Sequence, residues 1–290
     1  MKKLLVISGK GGTGKTTVAA AMIRFAQAAA FADCDVDAPN LHLVVPMAAE
    51  PEQIPFFGSS KAHIDADTCD GCGRCASACR FDAIIAVEGR YGVNVYACEG
   101  CGVCAYVCPR KAVTLRPDVA GVRALYAGPP VFSTATLRMG RGNSGKLVTA
   151  VKGAMEKAAP EAELAVIDGS PGIGCPVIAS VSGVDLALVV TEPTASGFSD
   201  LKRLLRTAEV LGVRVAVCVN RFDMHPQTGL LIERYCNEQG VPLAGRVPSD
   251  PHVPEAINAG FSIAEVDCPA RAALLRVFDN VMGLLKEGTA

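Results

Sequence analysis

The chain has 290 residues, 50% hydrophobic and 20% charged, with a formal net charge of −1. That length accommodates a large domain and a small one around a substantial core, and the composition excludes an intrinsically disordered chain. The near-neutral balance supplies no general pull towards nucleic acid or an anionic membrane, so no nucleic-acid partner is expected. The chain starts "MKKLLVISGKGG", which breaks into glycines too early for a signal peptide. No stretch reaches the length of a membrane span, so stable membrane insertion is not expected. Of thirteen cysteines, eight fall in tight, repeated spacing. That pattern predicts metal ligands in a reducing cytoplasm rather than disulfides.

In chain order, the short apolar run "KLLVIS" predicts a strand, and a helical pattern starts at Thr16. Between them lies "GKGGTGKT", Gly9 to Thr16, a full match to G-x-x-x-x-G-K-[ST] in the strand–loop–helix context the motif requires. Backbone N–H groups of such a loop turn onto phosphate oxygens, assisted by the helix N-terminus. Lys15 would reach the β- and γ-phosphates and the Thr16 hydroxyl would bind Mg²⁺. Gly9, Gly11, Gly12, Thr13, Gly14, Lys15, Thr16 and Thr17 are the candidate nucleotide-binding residues of this stretch. The alternative is a glycine-rich turn without a ligand.

Further apolar runs, "LAVID" (164–168), "DLALVVTEP" (185–193) and "VRVAVCVNR" (213–221), alternate with helical patterns. Strands this uniformly apolar predict a mostly parallel sheet covered by helices on both faces. The basic run "LKRLLR" (201–206) reads as a solvated helix face. In "PARAALLRVFDNVMGLLKE", Leu274, Val277, Phe278, Val281, Met282 and Leu285 share one helical face, which predicts core packing. A membrane-seeking amphipathic helix would carry more Lys and Arg on its polar face.

From His63 to Arg116 the cysteine density jumps and long helical patterns stop. Two runs, "CDGCGRCASAC" (69–79) and "CEGCGVCAYVCP" (98–109), repeat C-x-x-C-x-x-C-x-x-x-C, and each leads into a short segment, "RFDAIIAV" or "PRKAVTL". The expected organisation is a small inserted domain over 60–117, flanked by 1–59 and 118–290, with the chain back in the main sheet near Tyr126. The repeat with a following proline is the bacterial ferredoxin run, matched fully by the second copy and, except for Arg80 in place of proline, by the first. In that run three close thiolates hold one cubane and the fourth cysteine serves the other. The candidate sets are therefore Cys69, Cys72, Cys75 and Cys108 for one 4Fe–4S cluster, and Cys79, Cys98, Cys101 and Cys104 for the second. Zinc is the alternative occupant of paired C-x-x-C.

Lys10, directly after the first glycine, resembles the deviant Walker A motif of the MinD/ParA/nitrogenase-iron-protein class of ATPases. The resemblance implies a SIMIBI-type P-loop fold, ATP hydrolysis, and a nucleotide-dependent homodimer or a heterodimer with a paralogous ATPase. It also implies that Lys10 acts in trans on the partner's nucleotide. "DCDVDAPN" (33–40) is similar to the family's first switch, which implies that Asp35 orients the attacking water while Asp33 or Asp37 assists around Mg²⁺. "AVIDGSPG" (165–172) is similar to its Walker B and second switch, with Asp168 holding Mg²⁺ through water and Gly172 near the γ-phosphate. Asn220 in "VCVNRFD" and Pro248 in "VPSD" stand where relatives recognise adenine. Lys15 and Asp33 lie only eighteen positions apart, through "RFAQAAAFA", without a glycine turn or a β-branched run. A short or distorted second strand is expected there.

The combination resembles MinD-superfamily ATPases with an inserted ferredoxin domain, and "LRMGRGNSGKLV" (137–148) is similar to the same subgroup. Asn143, Ser144 and Lys146 are expected to serve an interface or the cap of the returning helix. Cys218, Cys236 and Cys268 are expected in the core. Cys175 stands seven residues after Asp168, the offset of a cluster-ligating cysteine in the nitrogenase iron protein. It is either a partial ligand at a dimer axis or a small residue at a helix start. Three functions are expected to compete: an ATPase whose nucleotide state is coupled to electron transfer through two clusters, an iron–sulfur carrier or metallocentre-assembly ATPase, and a MinD-like positioning ATPase with a redox-sensing insert. The first two require a redox or assembly partner protein.

Overall fold

The computed structural model describes residues 1–287. The chain opens with strand β1 (Lys2–Ile7), helix α1 (Lys15–Ala26) and strand β2 (Ala30–Asp33). Strands β3 (Glu52–Phe57) and β4 (Lys61–Ile64) follow, then helix α2 (Arg74–Ser77), strands β5 (Ile84–Val87) and β6 (Arg90–Val93), helix α3 (Val103–Tyr106) and strand β7 (Val113–Arg116). Strands β8 (Val119–Tyr126) and β9 (Val131–Leu137) lead into helix α4 (Ser144–Ala158), strand β10 (Leu164–Asp168) and helix α5 (Cys175–Val181). The last part alternates β11 (Leu186–Thr191), α6 (Ala195–Val210), β12 (Val215–Asn220), α7 (Pro226–Glu238), β13 (Leu243–Val247), α8 (His252–Asn258) and α9 (Pro269–Glu287).

The chain divides into two compact units. The first comprises 1–53, 123–136 and 144–290, and the second comprises 54–122 and 137–143. In the first unit the strand order is β13-β12-β11-β1-β10-β2-β9, with every pairing parallel. The near-continuous apolar runs of β1, β10, β11 and β12 follow from this, because a parallel sheet is buried on both faces. The chain order reverses on either side of β1, so the loop after β1 opens at the crevice where such sheets bind ligands.

β2 is short but regular, pairing with β10 through Ala30–Asp33 and with β9 through Ala30–Ala32. The expected distortion is absent. The missing glycine turn is replaced by Gln27, held left-handed at φ 46° and ψ 46°, while the Ala28 N–H donates to the Ile23 carbonyl at 3.0 Å. That is a helix stop of the Schellman kind built on a residue with a Cβ. In place of a β-branched run, Phe31 on β2 stacks on Phe132 of β9 at 4.8 Å, and Phe132 on Tyr126 at 5.3 Å.

On α9, Leu274, Val277, Val281 and Leu285 are buried and Phe278 and Met282 are partly so, as the helical pattern predicts. Leu201 and Leu204 of "LKRLLR" face inward, with Lys202 over the Phe198 ring at 4.1 Å. Cys218, Cys236 and Cys268 are buried, and burial pushes the Cys218 and Cys236 thiols up to about 12 and about 11. No helix among the described residues is long and apolar enough to cross a membrane.

The second unit pairs β4 with β7 and β5 with β6, both antiparallel. It is wider than the cysteine-rich 60–117 and contains 137–143, which ends on Asn143, one of the three residues expected at an interface or cap. Arg141 explains the inclusion: it lies 3.2 Å from Asp118, donates to the Val95 carbonyl at 3.0 Å and covers the Tyr96 ring. Asn143, left-handed at φ 75°, donates to the Ser59 hydroxyl at 3.1 Å. Ser144 opens α4.

A left-handed non-glycine residue costs about 1–2 kcal/mol, partly offset by the larger chain entropy that glycine loses on folding. Gln27→Gly is therefore expected to stabilise the protein by about 0.5–1 kcal/mol in equilibrium denaturation.

Candidate functional site

The loop after β1 runs over Ser8–Gly14 into α1. Gly12 and Gly14 have φ of 80° and 86°, and a Cβ on Gly14 would stand 2.3 Å from Asn220 Nδ2. Only glycine meets both demands at position 14. Asn220, at the end of β12, donates from Nδ2 to the Thr13 carbonyl at 2.7 Å, and the Gly172 N–H donates to the Ser8 carbonyl at 3.0 Å. Three strand ends thus converge on one loop.

Behind it is a buried charge cluster. Lys15 Nζ donates to Asp168 Oδ1 at 2.6 Å and lies 3.8 Å from Asp35 Oδ2. Lys15 is 6% exposed, and Asp33 and Asp168 are fully buried. Burial alone would lower the Lys15 pKa, but Asp168 first, then Asp35 and Asp33, outweigh it and the net direction is upward. Burial, together with the Asp168 charge, raises Asp33 to about 7. Burial also raises Asp35, against the pull of Lys15.

Asp33 uses both oxygens on backbone: Oδ1 accepts from the Asp35 N–H at 3.0 Å, and Oδ2 from the Asn40 and Leu41 N–H groups at 2.9 and 3.0 Å. It is the anchor of the 34–41 loop. The Thr16 hydroxyl donates to Asn40 Oδ1 at 3.0 Å. Asp168 Oδ2 and Thr13 Oγ1 are buried and have no hydrogen-bond partner among the described residues. Three carboxylates around one ammonium, with a spare buried acceptor on Asp168, suit a divalent cation. The N–H-lined glycine loop suits the phosphates that accompany it.

A cavity of about 290 Å³ is lined by Gly11, Gly12, Lys15, Thr16, Asp35 and Asn40, and one of about 530 Å³ by Asn220, Met224, Pro248, Asp250 and Val253. The two share Gly14, Thr17, Arg221 and Ile257. Two adjoining spaces, one at the glycine loop and one beyond it, suit a polyphosphate and an attached base. Lys10 lines neither. Its Nζ lies 3.3 Å from Glu192 Oε2 and donates to the Ser196 hydroxyl at 3.3 Å, and Glu192 Oε1 accepts from Arg221 at 2.7 Å. Sequence reading assigned no role to Glu192, because a single carboxylate inside an apolar strand end carries no spacing signal.

In the second unit, the eight framework cysteines divide between two small cavities. Cys69, Cys72, Cys75 and Cys108 line one, and Cys79, Cys98, Cys101 and Cys104 line the other. The backbone repeats with the sequence. Gly71 and Gly73 have φ of 72° and 73°, Gly100 and Gly102 of 70° and 80°, so each run wraps its cavity through two left-handed residues, one inside each C-x-x-C. The Ala83 N–H points at Cys79 Sγ at 3.4 Å and the Ala112 N–H at Cys108 Sγ at 3.3 Å, equivalent bonds to the two exchanged cysteines. All thirteen thiols are free.

Among the described residues, no group of three or more His, Cys, Asp or Glu side chains converges on a single metal ion. A zinc ion draws its thiolates in to about 2.3 Å, whereas a cubane spreads its four over separate iron corners. Four cysteines spaced around a cavity, with N–H groups aimed at sulfur, fit the cluster. Cys175 is exposed at the first position of α5.

The parallel sheet, its loop at the point of chain reversal and the buried lysine–carboxylate cluster define a P-loop nucleotide-binding protein. The CobQ/CobB/MinD/ParA nucleotide-binding domain (CbiA) matches residues 4–263; the chain belongs to this family and is a P-loop ATPase of the MinD/ParA type. It is 34% identical over 227 residues to an uncharacterized protein of Methanocaldococcus jannaschii, covering 77% of this chain and 79% of the relative. It is 23% identical over 305 residues to an iron-sulfur cluster carrier protein of Pyrococcus horikoshii, covering 98% and 87%. Among solved structures, the septum site-determining protein MinD of Pyrococcus horikoshii, complexed with Mg-ADP, superposes with a TM-score of 0.58 at 17% identity, covering 99% of this chain and 98% of that one. That likeness speaks for the fold.

Asp33→Asn turns one acceptor oxygen into a donor facing a backbone N–H. It is expected to lower stability by about 1–2 kcal/mol. The accompanying sign is faster hydrogen exchange at the Asn40 and Leu41 amides.

Proposed function

We propose that the protein is a dimeric Mg-ATPase whose nucleotide state is coupled to electron transfer through two 4Fe–4S clusters held by a ferredoxin-like insert centred on 60–117. The observation that carries this reading is the division of eight cysteines between two cavities, each completed by a cysteine from the other run. Bound there, each cluster would take up or release one electron. The chain supplies the rest: four thiolates per cluster, N–H donors to the exchanged sulfurs, and cavities small enough to limit water.

In the ATPase unit, Lys15 would leave Asp168 for the phosphates, freeing that carboxylate to hold Mg²⁺ through water beside the Thr16 hydroxyl. Asp35 would orient the attacking water, and Gly172 would report the γ-phosphate by its backbone. Asn220 and Pro248 would bound the adenine. Lys10, paired in cis with Glu192, would exchange that partner for the nucleotide of a second protomer, acting as an arginine finger does.

A second reading is an iron–sulfur carrier or assembly ATPase, favoured by the similarity to the iron-sulfur cluster carrier protein of Pyrococcus horikoshii. Incubation with an apo-acceptor separates the two: cluster transfer on ATP turnover selects the carrier, and retained iron selects the electron-transfer protein.

Anaerobically purified protein is expected to contain about eight iron and eight sulfide per chain, and Cys79→Ser to lose the cluster of Cys98, Cys101 and Cys104 first. A reduction potential and electron delivery indifferent to Mg·ATP would sink the coupling. Lys10→Ala is expected to lower kcat about 10²–10³-fold, the scale seen when one charge-stabilising donor is removed. ATP affinity should change little, since Lys10 lines neither cavity.

A further inference from the structure

The loop 169–174 carries the Gly172 amide and runs straight into α5. That helix is short, and its last carbonyls have no partners within it. Two of them, and the carbonyl of Ser182 just beyond, accept from a lysine of another helix. Lys152, in the middle of α4 and 7% exposed, donates to the carbonyls of Ala179 at 3.0 Å, Ser180 at 2.8 Å and Ser182 at 2.7 Å. At the other end of α5, a Cβ on Gly145 would stand 3.2 Å from the Cys175 carbonyl oxygen, so the first turn of α4 lies directly against the first residue of α5. The two helices are hydrogen-bonded at one end of α5 and close-packed at the other.

α4 begins at Ser144, one peptide bond after the segment 137–143 of the second unit. In that segment Arg141 holds the Val95 carbonyl, the Tyr96 ring and Asp118. The same short run leads into Cys98, whose N–H donates to the Asn94 carbonyl at 3.0 Å. The connection between the units here is covalent, and the contacts on each side of it lie within one unit.

We propose that Lys152 and Arg141 are positioning residues that pass the state of the 169–174 loop to the run 95–98 preceding Cys98. A shift of the loop on γ-phosphate binding moves α5, and Lys152 makes α4 follow. The 137–143 segment is drawn with α4, and Arg141 hands the displacement to Val95 and Tyr96. Two packed arrangements of one connected element, biased by nucleotide, are the physical form such coupling takes. The inference rests on the ATPase–cluster reading and assigns the "GRGNSGK" stretch its part in it.

Hydrogen exchange on the anaerobic holoprotein, compared between Mg·ADP and Mg·β,γ-imido-ATP, tests this, with iron content measured in parallel. In the wild type, exchange over 169–174, 144–147 and 95–98 is expected to differ by roughly fivefold or more between the two nucleotides, the lower end of usual coupling. Arg141→Ala should abolish the difference at 95–98 alone. Lys152→Met should abolish it at 144–147 and 95–98 while 169–174 still responds, and Lys152→Arg, which keeps a cationic donor, should retain it. If Lys152→Met fails to fold, Arg141→Ala decides by itself. A difference at 95–98 that survives Arg141→Ala, or none there in the wild type, overturns the proposal. Missing iron overturns the cluster reading and leaves the exchange pattern to be judged separately.

Discussion

Asp33, Asp35 and Asp168 share one buried ammonium, that of Lys15. Everything at the carboxyl ends of the central strands is arranged around this imbalance. Burying a carboxylate is costly unless it is paired or hydrogen-bonded, and Asp33 meets that cost with three backbone N–H groups while Asp168 takes Lys15. Asp168 retains an oxygen with no partner among the described residues. Such a cluster is incomplete as it stands. The same charges make a divalent cation with polyphosphate the natural complement.

Most of the fold was legible because its signals are periodic. Apolar runs with a G-x-x-x-x-G-K-T loop after the first strand imply a parallel sheet with a phosphate site, and β1, β10, β11 and β12 follow that pattern. The parts that escaped are those in which a local rule is broken and tertiary structure repairs it. Gln27 takes a left-handed conformation that composition would assign to glycine, and β2 is held by aromatic stacking on β9 in place of β-branched residues. The extra stretch of the second unit, 137–143, escaped because its affiliation rests on Arg141 and Asn143 and on partners some twenty and more positions away.

The site divides the same way. Lys15, Thr16, Asp35, Asn220 and Pro248, named from motif order, line the two adjoining cavities, and the exchanged pairing of Cys79 and Cys108 reappears in the cavity linings. Glu192, Lys152 and Arg141 were silent in the sequence. Each is a single charged residue whose meaning depends on carbonyls or cations brought to it by folding. Asp33 shows the middle case: its position in a carboxylate-rich loop was evident, and its occupation with backbone amides was not.

The exchange of the fourth cysteine between the two runs has a consequence for how the second unit comes into being. Neither cysteine-lined cavity can be closed by a contiguous piece of chain, because Cys79 and Cys108 each cross to the neighbouring one. A chain emerging from the ribosome cannot finish its first cavity until the second run, some thirty residues later, has been made.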